Sequence, residues 1–255
     1  RSRGLGDVYK RQAYRFFEFM STLPEDQRCK FVGIVTEASA YGQAIAKGAL
    51  EAAKKFGVKA EIIESYPPET KDFVPILQKV KNAGADCILH TGHMIGDIMV
   101  PRTAKEMGWT PKMIWVSVSI TLPEFLNLNK TVEGVMGLGT WSPEFKTYQN
   151  DIFVKLFRER YGHDPYGHNV WAMASLQVML RAIELAGSLD PEKIRNALLT
   201  NEFPNVMGVF HFQENGLPPP EEQAAYLFQV QNGKPVCVWP EKFATAKAIW
   251  PLPSG

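Results

Sequence analysis

The residues best suited to chemistry follow the first strand pattern, which runs from Phe31 to Val35. Glu37, Ser39 and Tyr41 lie on or just beyond the segment that ends this apolar run. A tyrosine offers a ring for apolar contact and a hydroxyl for one hydrogen bond, which suits a binding site of mixed character. Ser39 either contacts a ligand or caps the following helix, and its residue type favours the cap.

Signals for catalysis or metal binding are weak. The sequence has no Gly-x-Ser-x-Gly elbow and no Walker lysine loop. His90 and His93 are three residues apart, but they lie at a strand end and not on one helix face, which does not match zinc spacing. We therefore expect no metal and no cofactor, and an α/β enzyme remains only an alternative.

Composition is typical of a globular protein that does not depend on charge for recognition. The 255 residues are 45% hydrophobic and 22% charged, with a formal net charge of +1. This balance gives no electrostatic reason to expect nucleic acid or an anionic membrane as partner. Cys29, Cys87 and Cys237 are far apart and match no metal spacing. Cys87 lies in an apolar strand pattern, which predicts a plain buried thiol, and the odd cysteine count neither supports nor excludes an oxidising compartment.

The elements that must position the Tyr41 segment form an alternating pattern. Residues 31–67 are a strand, a helix ended by Gly57 and a second strand, which calls for a parallel pair with a right-handed crossover. Further strands are predicted at Ala85–Leu89, Met113–Val118 and Val132–Leu138, with helices at Phe73–Ala83 and Ile95–Met107. We expect 31–140 to form one parallel five-stranded sheet with helices on both faces. Open sheets of this type bind ligands at the carboxyl ends of their strands.

The pattern changes after residue 140. Helices are predicted at Phe145–Tyr161 and Asn169–Ala186, then from Asp190 to near Thr200, followed by a strand at Val206–Phe212. The second helix is apolar almost all round and should be buried on most sides. These helices either pack on the first sheet or belong to a second lobe whose sheet is not included here. In the second case we expect the helix at 169–186 to expose an unusual amount of apolar surface. Asn232-Gly233 predicts a hairpin turn within 226–239.

Two segments stand apart from this alternation. The first twelve residues resemble translated sequencing-adapter sequence, so we expect them to be non-native and leave them out of the fold argument. On that expectation the natural N-terminus is missing, and the lack of a signal peptide says nothing about location. Pro218-Pro219-Pro220 predicts a stiff surface loop.

The order of these elements, with several short motifs, resembles the branched-chain amino-acid ABC transporter group of periplasmic substrate-binding proteins, lacking their N-terminal part. The motifs are Val32-Gly33-Ile34-Val35 followed by Tyr41-Gly42, then Gly84-Ala85-Asp86, Gly108, Tyr161-Gly162, Pro165-Tyr166, Ala186-Gly187-Ser188 and Gly208-Val209-Phe210. Each motif alone is weak, whereas their order and spacing together are fairly specific.

The resemblance implies an α/β, type I periplasmic-binding-protein fold. It consists of a doubly wound parallel sheet lobe plus helices of an incomplete second lobe. The expected divisions are the non-native tail 1–12, the end of the N-terminal lobe and a hinge helix 13–30, the C-terminal ligand-binding lobe 31–142, helices and a strand of the truncated N-terminal lobe 143–212, and a return crossing with a hairpin on the C-terminal lobe 213–255.

The resemblance also implies a function. The protein would be the solute-binding component of an ABC importer, not an enzyme, and would close two lobes over a small-molecule solute and deliver it to a membrane permease. It would be periplasmic or lipid-anchored and extracellular, monomeric when full length, and without a nucleic-acid partner. A ligand-sensing domain of a receptor or regulator is the alternative with the same fold.

Individual site residues follow from the same resemblance. Tyr41 matches a family tyrosine that contacts ligand, and His93 stands where the family places an aromatic contact, although a lone histidine is more often structural. Trp171 opens the apolar helix near a family cleft position, with core packing as its alternative. The expected ligand-binding set is Tyr41, His93, Ser39, Met94, Val118, Asn169 and Trp171.

One departure from the family pattern bears on the ligand. The family's amino-acid binders carry a glutamate after the fourth strand, and here Val116–Ile120 contains no acid, while Glu124 comes too late. An ammonium buried without a carboxylate is strongly disfavoured. We therefore expect a small organic acid or amide in preference to an amino acid.

Overall fold

The structure, a computed structural model, describes residues 12–216 and 225–252. The segment expected to be non-native, apart from Gln12, and the Pro218-Pro219-Pro220 loop lie outside these residues. By the density of internal contacts the chain divides into two compact units, residues 1–139 with 225–255 and residues 140–224.

The first unit is built on a seven-stranded sheet. Its strands are β1 Phe31–Glu37, β2 Lys59–Tyr66, β3 Cys87–Thr91, β4 Met113–Val116, β5 Met136–Gly139, β8 Tyr226–Gln231 and β9 Lys234–Trp239, in the order β2-β1-β3-β4-β5-β8-β9. The five strands from β1 to β5 pair in parallel, as the alternating pattern predicts. The β8–β9 hairpin joins β5 in antiparallel pairing.

Helices cover both faces of this sheet. They are α1 Tyr14–Thr22, α2 Ala40–Lys55, α3 Val74–Asn82, α4 Met94–Glu106 and the short α5 Pro123–Leu126. α1 and α2 pack on one face over alternate strand residues such as Ile34, Leu89 and Trp115. Strand side chains that point to both faces are buried, which explains why these strands read as nearly continuous apolar runs.

The strand order reverses direction between β1 and β3. The chain leaves β1 through α2 to reach β2 on one side, then passes through α3 to β3 on the other side of β1. The connections from β1 and β3 therefore diverge, and a crevice opens between the carboxyl ends of the two strands. In open α/β sheets this is the usual place for a ligand.

β4 is shorter than predicted. It ends at Val116 and not at Val118, because the backbone N–H groups of Ser117, Val118 and Ser119 are bonded to the Asp97 carboxylate. Successive backbone N–H groups of a β-strand point to opposite sides, so three successive N–H groups that bond to one carboxylate cannot belong to a strand. The apolar pattern of this segment thus reflects burial in a loop as well as in a strand.

Cys87 is not the plain buried thiol that its strand pattern predicts. It forms a disulfide with Cys29, with a Cα–Cα distance of 5.9 Å and a sequence separation of 58. The bridge forms because Cys29 lies in the turn that leads into β1 and Cys87 begins β3, the strand beside it. By the loop-closure model a bridge over this separation stabilises the fold by about 4 kcal/mol.

A thiol titration checks this bonding pattern. Cys237 is the free cysteine, and burial raises the pKa of its thiol to about 12, so it stays protonated at about pH 8. Ellman's reagent should therefore detect no thiol in the folded protein. It should detect one in denaturant and three after reduction in denaturant. Three reactive thiols in denaturant without reductant would contradict the disulfide.

The second unit contains α6 Asn150–Tyr161, α7 Gly167–Ala186, α8 Pro191–Thr200 and the two-stranded hairpin β6 Phe203–Asn205 and β7 Gly208–Phe210. The hairpin replaces the single strand predicted at Val206–Phe212. α6 begins five residues later than predicted because residues 140–149 form a loop held by Asn150, whose side-chain amide donates to the carbonyls of Ser142, Pro143 and Phe145.

α7 buries only one stripe and leaves most of its apolar surface exposed. The buried residues Val170, Ala174, Val178 and Ala182 recur every four positions. Its exposed apolar side chains are Trp171, Leu176, Met179, Leu180 and Leu185, and Ile152 and Leu156 on α6 are also exposed. Among the described residues this helix thus exposes the large apolar surface expected of a helix whose covering sheet is not included. Within them, no single helix is long and apolar enough to cross a membrane, and only the bent pair α7–α8 would pass by length and composition.

Candidate functional site

Three side chains meet in the crevice between β1 and β3. Glu37 is the last residue of β1, Tyr41 lies in the first turn of α2, and His93 immediately precedes α4. The Nδ1–H of His93 donates to Glu37 Oε1 at 2.7 Å, and its backbone N–H donates to Oε2 at 3.3 Å. The Tyr41 and His93 rings lie against each other, with centroids 4.8 Å apart and planes tilted by 33°.

The start of α2 is fixed by a cap. Ser39 takes an extended backbone conformation, and its hydroxyl accepts a hydrogen bond from the Gly42 N–H at 3.1 Å. This confirms the capping role that its residue type favours. The cap sets the direction in which α2 leaves β1, and thereby the place of Tyr41.

Glu37 is a buried carboxylate that remains ionised. Burial by itself raises its pKa, but hydrogen bonds from His93 and Ser39, together with the charge of His93, lower it below the ordinary value of 4.5. The carboxylate therefore contributes stability above pH 4.5, and that contribution is lost as the pH falls through the lowered pKa. At neutral pH both its oxygens act as acceptors.

Beneath the crevice lies a buried hydrogen-bonded chain of three side chains. The Tyr66 hydroxyl donates to Nε2 of His90 at 2.6 Å, and the opposite nitrogen, Nδ1, donates to Asp97 Oδ1 at 2.6 Å. Tyr66 is 2% exposed, and His90 and Asp97 are fully buried. Burial, with the nearby charges of Glu37 and Asp97, raises the pKa of Tyr66 well above its ordinary range, so its hydroxyl keeps its proton and donates.

Asp97 connects this chain to the loop after β4. Its Oδ1 also accepts from the Ser117 N–H at 3.0 Å, and its Oδ2 accepts from the N–H groups of Val118 and Ser119, each at 3.0 Å. The Ser117 hydroxyl in turn donates to the Gly92 carbonyl at 2.6 Å, which joins the loops after β3 and β4. One buried carboxylate thus sets the backbone of the loop that carries Val118.

Glycines permit this packing. A Cβ added at Gly92 would lie 2.8 Å from the Cβ of Glu37, and one at Gly96 would overlap the Tyr66 hydroxyl and the His90 ring. Both positions are therefore restricted to glycine by close approach and not by backbone conformation. The Thr91-Gly92-His93-Met94 segment can lie directly on Glu37 only because Gly92 has no side chain.

The structure brings some of the predicted site residues together and not others. Ser39, Tyr41, His93, Met94 and Val118 lie at the carboxyl ends of the strands in the first unit. Asn169 and Trp171 belong to the second unit. Asn169 accepts from the Tyr166 N–H at 3.1 Å, while Trp171 is 43% exposed and contacts Phe210, so it is not a core residue. Their ligand roles remain predictions.

The sequence interpretation missed the network that supports the site. It treated His90 only as a zinc candidate and did not single out Tyr66 or Asp97. The available signal was a polar residue inside an otherwise apolar strand, together with an acid in the first turn of the next helix. No acidic residue directly follows β4 in the sequence, but the Asp97 carboxylate of α4 lies against the loop after β4. Its oxygens already accept hydrogen bonds from the backbone of that loop and from His90. Glu124 lies on α5 and is exposed.

This chain is similar to known proteins over most of its length. A family described as "Periplasmic binding protein" matches residues 6–235. The Leu/Ile/Val-binding protein homolog 7 of Brucella melitensis biotype 1 is 25% identical over 277 residues, covering 98% of this chain and 67% of the relative. The chain therefore spans about two thirds of the length of this relative.

Solved structures share the fold. A leucine binding protein from Thermotoga maritima MSB8 superposes with a TM-score of 0.77 at 22% identity, covering 88% of this chain and 64% of the other. A solute binding protein of an ABC transporter from R. palustris, in complex with benzoate, gives a TM-score of 0.72 at 17% identity, covering 96% of this chain and 64% of that one.

Proposed function

Because the chain belongs to the periplasmic binding protein family, we propose that it is part of the solute-binding component of an ABC importer. The intact protein captures a small organic acid, amide or amino acid between two lobes and delivers it to a membrane permease, without making or breaking a bond. The observation that carries this proposal is the meeting of Glu37, Tyr41 and His93 at the crevice between β1 and β3. A carboxylate, an aromatic ring and an imidazole there suit a small solute that is partly polar and partly apolar.

Tyr41, His93, Met94 and Val118 are the residues that we propose as solute contacts in this lobe. Met94 is 37% exposed and Val118 is half-buried, so both leave surface for contact. Ser39 supports the site through its cap. Asn169 and Trp171 are kept as predicted contacts on the strength of the resemblance alone.

The exposed apolar side chains of α6 and α7 support the proposal that a second sheet packs against these helices. Burial of a large apolar side chain contributes about 1.5–3 kcal/mol, so a helix with this many exposed apolar residues is suited to packing against another layer. We propose that a sheet of the N-terminal lobe, which the described residues do not contain, covers Leu176, Met179 and Leu180. The described second unit would then supply helices to that lobe.

The family match and the disulfide both bear on the compartment in which the protein works. Members of this family work in the periplasm or outside the cell, and we propose the same for this protein. The Cys29–Cys87 disulfide supports an oxidising compartment, because such bonds are rare where glutathione and thioredoxin keep thiols reduced.

Solution scattering tests the proposed function. Protein expressed from its complete coding sequence should be screened by calorimetry against leucine, benzoate and benzamide, and scattering recorded with and without each solute that binds. A solute that binds the closed form more tightly shifts the population toward closure, so the radius of gyration should fall. A non-binding member of the panel serves as control. An unchanged radius with every bound solute would refute closure of the two lobes.

A further inference from the structure

The hydrogen bond between Glu37 and His93 fixes which nitrogen of the imidazole carries a proton. Glu37 is an ionised acceptor with a side chain only 5% exposed, so the hydrogen between Oε1 and Nδ1 belongs to Nδ1. The backbone N–H of His93 bonds to the second carboxylate oxygen. One tautomer of the neutral ring is therefore excluded.

The same contacts leave the other nitrogen open. The Tyr41 ring lies against one face of the imidazole, Glu37 holds one edge, and the His93 side chain is still 59% exposed. Nε2 has no hydrogen-bond partner among the described residues. It is thus the one ring atom of His93 able to hydrogen-bond to a solute.

In the part of the chain that the structure describes, few titratable groups surround His93. Glu37 faces it from β1 and Tyr41 from α2, while Asp97 on α4 is bonded to His90 and to the 117–119 backbone, and Tyr66 donates to His90. Residues 37–41, 91–97 and 117–122 contain no lysine or arginine. A solute anion at these loops would therefore find its cationic partner in His93.

We propose, as an extension of the proposed function, that the solute is a carboxylate which accepts a hydrogen bond from Nε2–H of protonated His93, and that its binding takes up a proton. With Nδ1 already bearing a proton, a neutral His93 offers Nε2 as an acceptor, which repels a carboxylate. Protonation turns Nε2 into a charged donor. Glu37 is the positioning residue, because it fixes the tautomer and ring orientation.

The pH dependence follows from this linkage. Histidine side chains change charge between about pH 5 and 8. Where the ring without solute is neutral, each bound carboxylate is accompanied by one proton from solution, so its dissociation constant rises about tenfold for each pH unit. Binding of a neutral amide requires no proton and should stay flat over the same range.

Calorimetry with matched pairs tests the proposal on protein expressed from its complete coding sequence. The probes are benzoate with benzamide, phenylacetate with phenylacetamide, isovalerate with isovaleramide, and leucine. At about pH 8, titrations in buffers of different ionisation enthalpy report the protons taken up. At least one carboxylate should bind more tightly than its amide and take up close to one proton.

Variants separate the roles of the two residues. His93→Gln should weaken the bound carboxylate by about 10- to 100-fold and abolish proton uptake, since a charge-assisted bond is lost. Glu37→Gln should also reduce the uptake, because the neutral amide no longer fixes the proton on Nδ1. His163→Gln, an exposed histidine in the second unit, is the matched control and should leave both quantities unchanged.

The possible outcomes are distinct. Binding of an amide, or of leucine without proton uptake, while benzoate, phenylacetate and isovalerate are silent overturns the carboxylate proposal and leaves the proposed function standing. Carboxylate binding without proton uptake, or with unchanged affinity in His93→Gln, overturns it as well. Failure of all seven probes to bind overturns both.

Discussion

Asp97→Asn is expected to lower the free energy of unfolding by about 1–3 kcal/mol for each buried donor that it leaves without an acceptor. Asp97 is fully buried and accepts hydrogen bonds from His90 and from three successive backbone N–H groups of the loop after β4. Asparagine has nearly the same shape but only one acceptor oxygen. Its NH₂ group would face backbone donors and leave them unsatisfied.

Urea unfolding followed by circular dichroism measures this loss. Asp26→Asn is the matched control, because Asp26 is exposed in the turn after α1, and such a change should stay within about 0.5 kcal/mol. A loss below about 1 kcal/mol in Asp97→Asn would mean that the loop after β4 is held mainly by its apolar neighbours, contrary to the role assigned to Asp97.

Gly42→Ala is expected to destabilise the protein by about 1–3 kcal/mol, although alanine normally favours a helix over glycine. A Cβ at this position would lie 2.5 Å from the Glu37 carbonyl oxygen and 2.9 Å from that of Thr91. Both atoms belong to the backbone at the ends of β1 and β3, so neither can turn aside. The first turn of α2 would have to move away from the site and take Tyr41 with it.

Gly167→Ala provides the comparison for Gly42→Ala. Gly167 is also in the first turn of a helix, and an added Cβ meets no atom within 4 Å. This substitution should be neutral or stabilising by about 0.4–1 kcal/mol. Thermal or urea unfolding of both variants decides the matter, and equal effects at the two glycines would contradict the close-approach argument.

The fold of the first unit was predictable because its signals are local. The three- and four-residue spacing of apolar positions in α2, the stop at Gly57 and the alternation of strands with helices each depend on a few neighbouring residues. The parallel sheet then follows from connection lengths and handedness. The Asn232-Gly233 turn was predictable for the same reason, and both residues have the positive φ that this turn requires.

The site was only partly predictable because its contacts join distant residues. Tyr41 and His93 were identified as separate candidates 52 positions apart, but nothing in the sequence showed that Glu37 holds His93. Asp97 bonds to a loop 20 residues further along, and that bond, which no propensity records, shortens β4. Prediction of the Cys29–Cys87 disulfide would have required knowing that β1 and β3 are neighbours in the sheet. The composition of α7 shows that it needs a covering partner but not where that partner is, so two packings stayed open in the sequence.

The Cys29–Cys87 bond also has a topological consequence. It links the residues at the amino ends of β1 and β3, so β1, α2, β2 and α3 all lie within one covalently closed ring. A single protease cut anywhere inside that ring leaves both pieces attached to each other until a reductant is added. The disulfide lies at the amino ends of the strands, whereas Glu37 and His93 lie at the carboxyl ends. The backbone is therefore tethered at one end of the sheet, while the candidate site at the other end has no disulfide among the described residues.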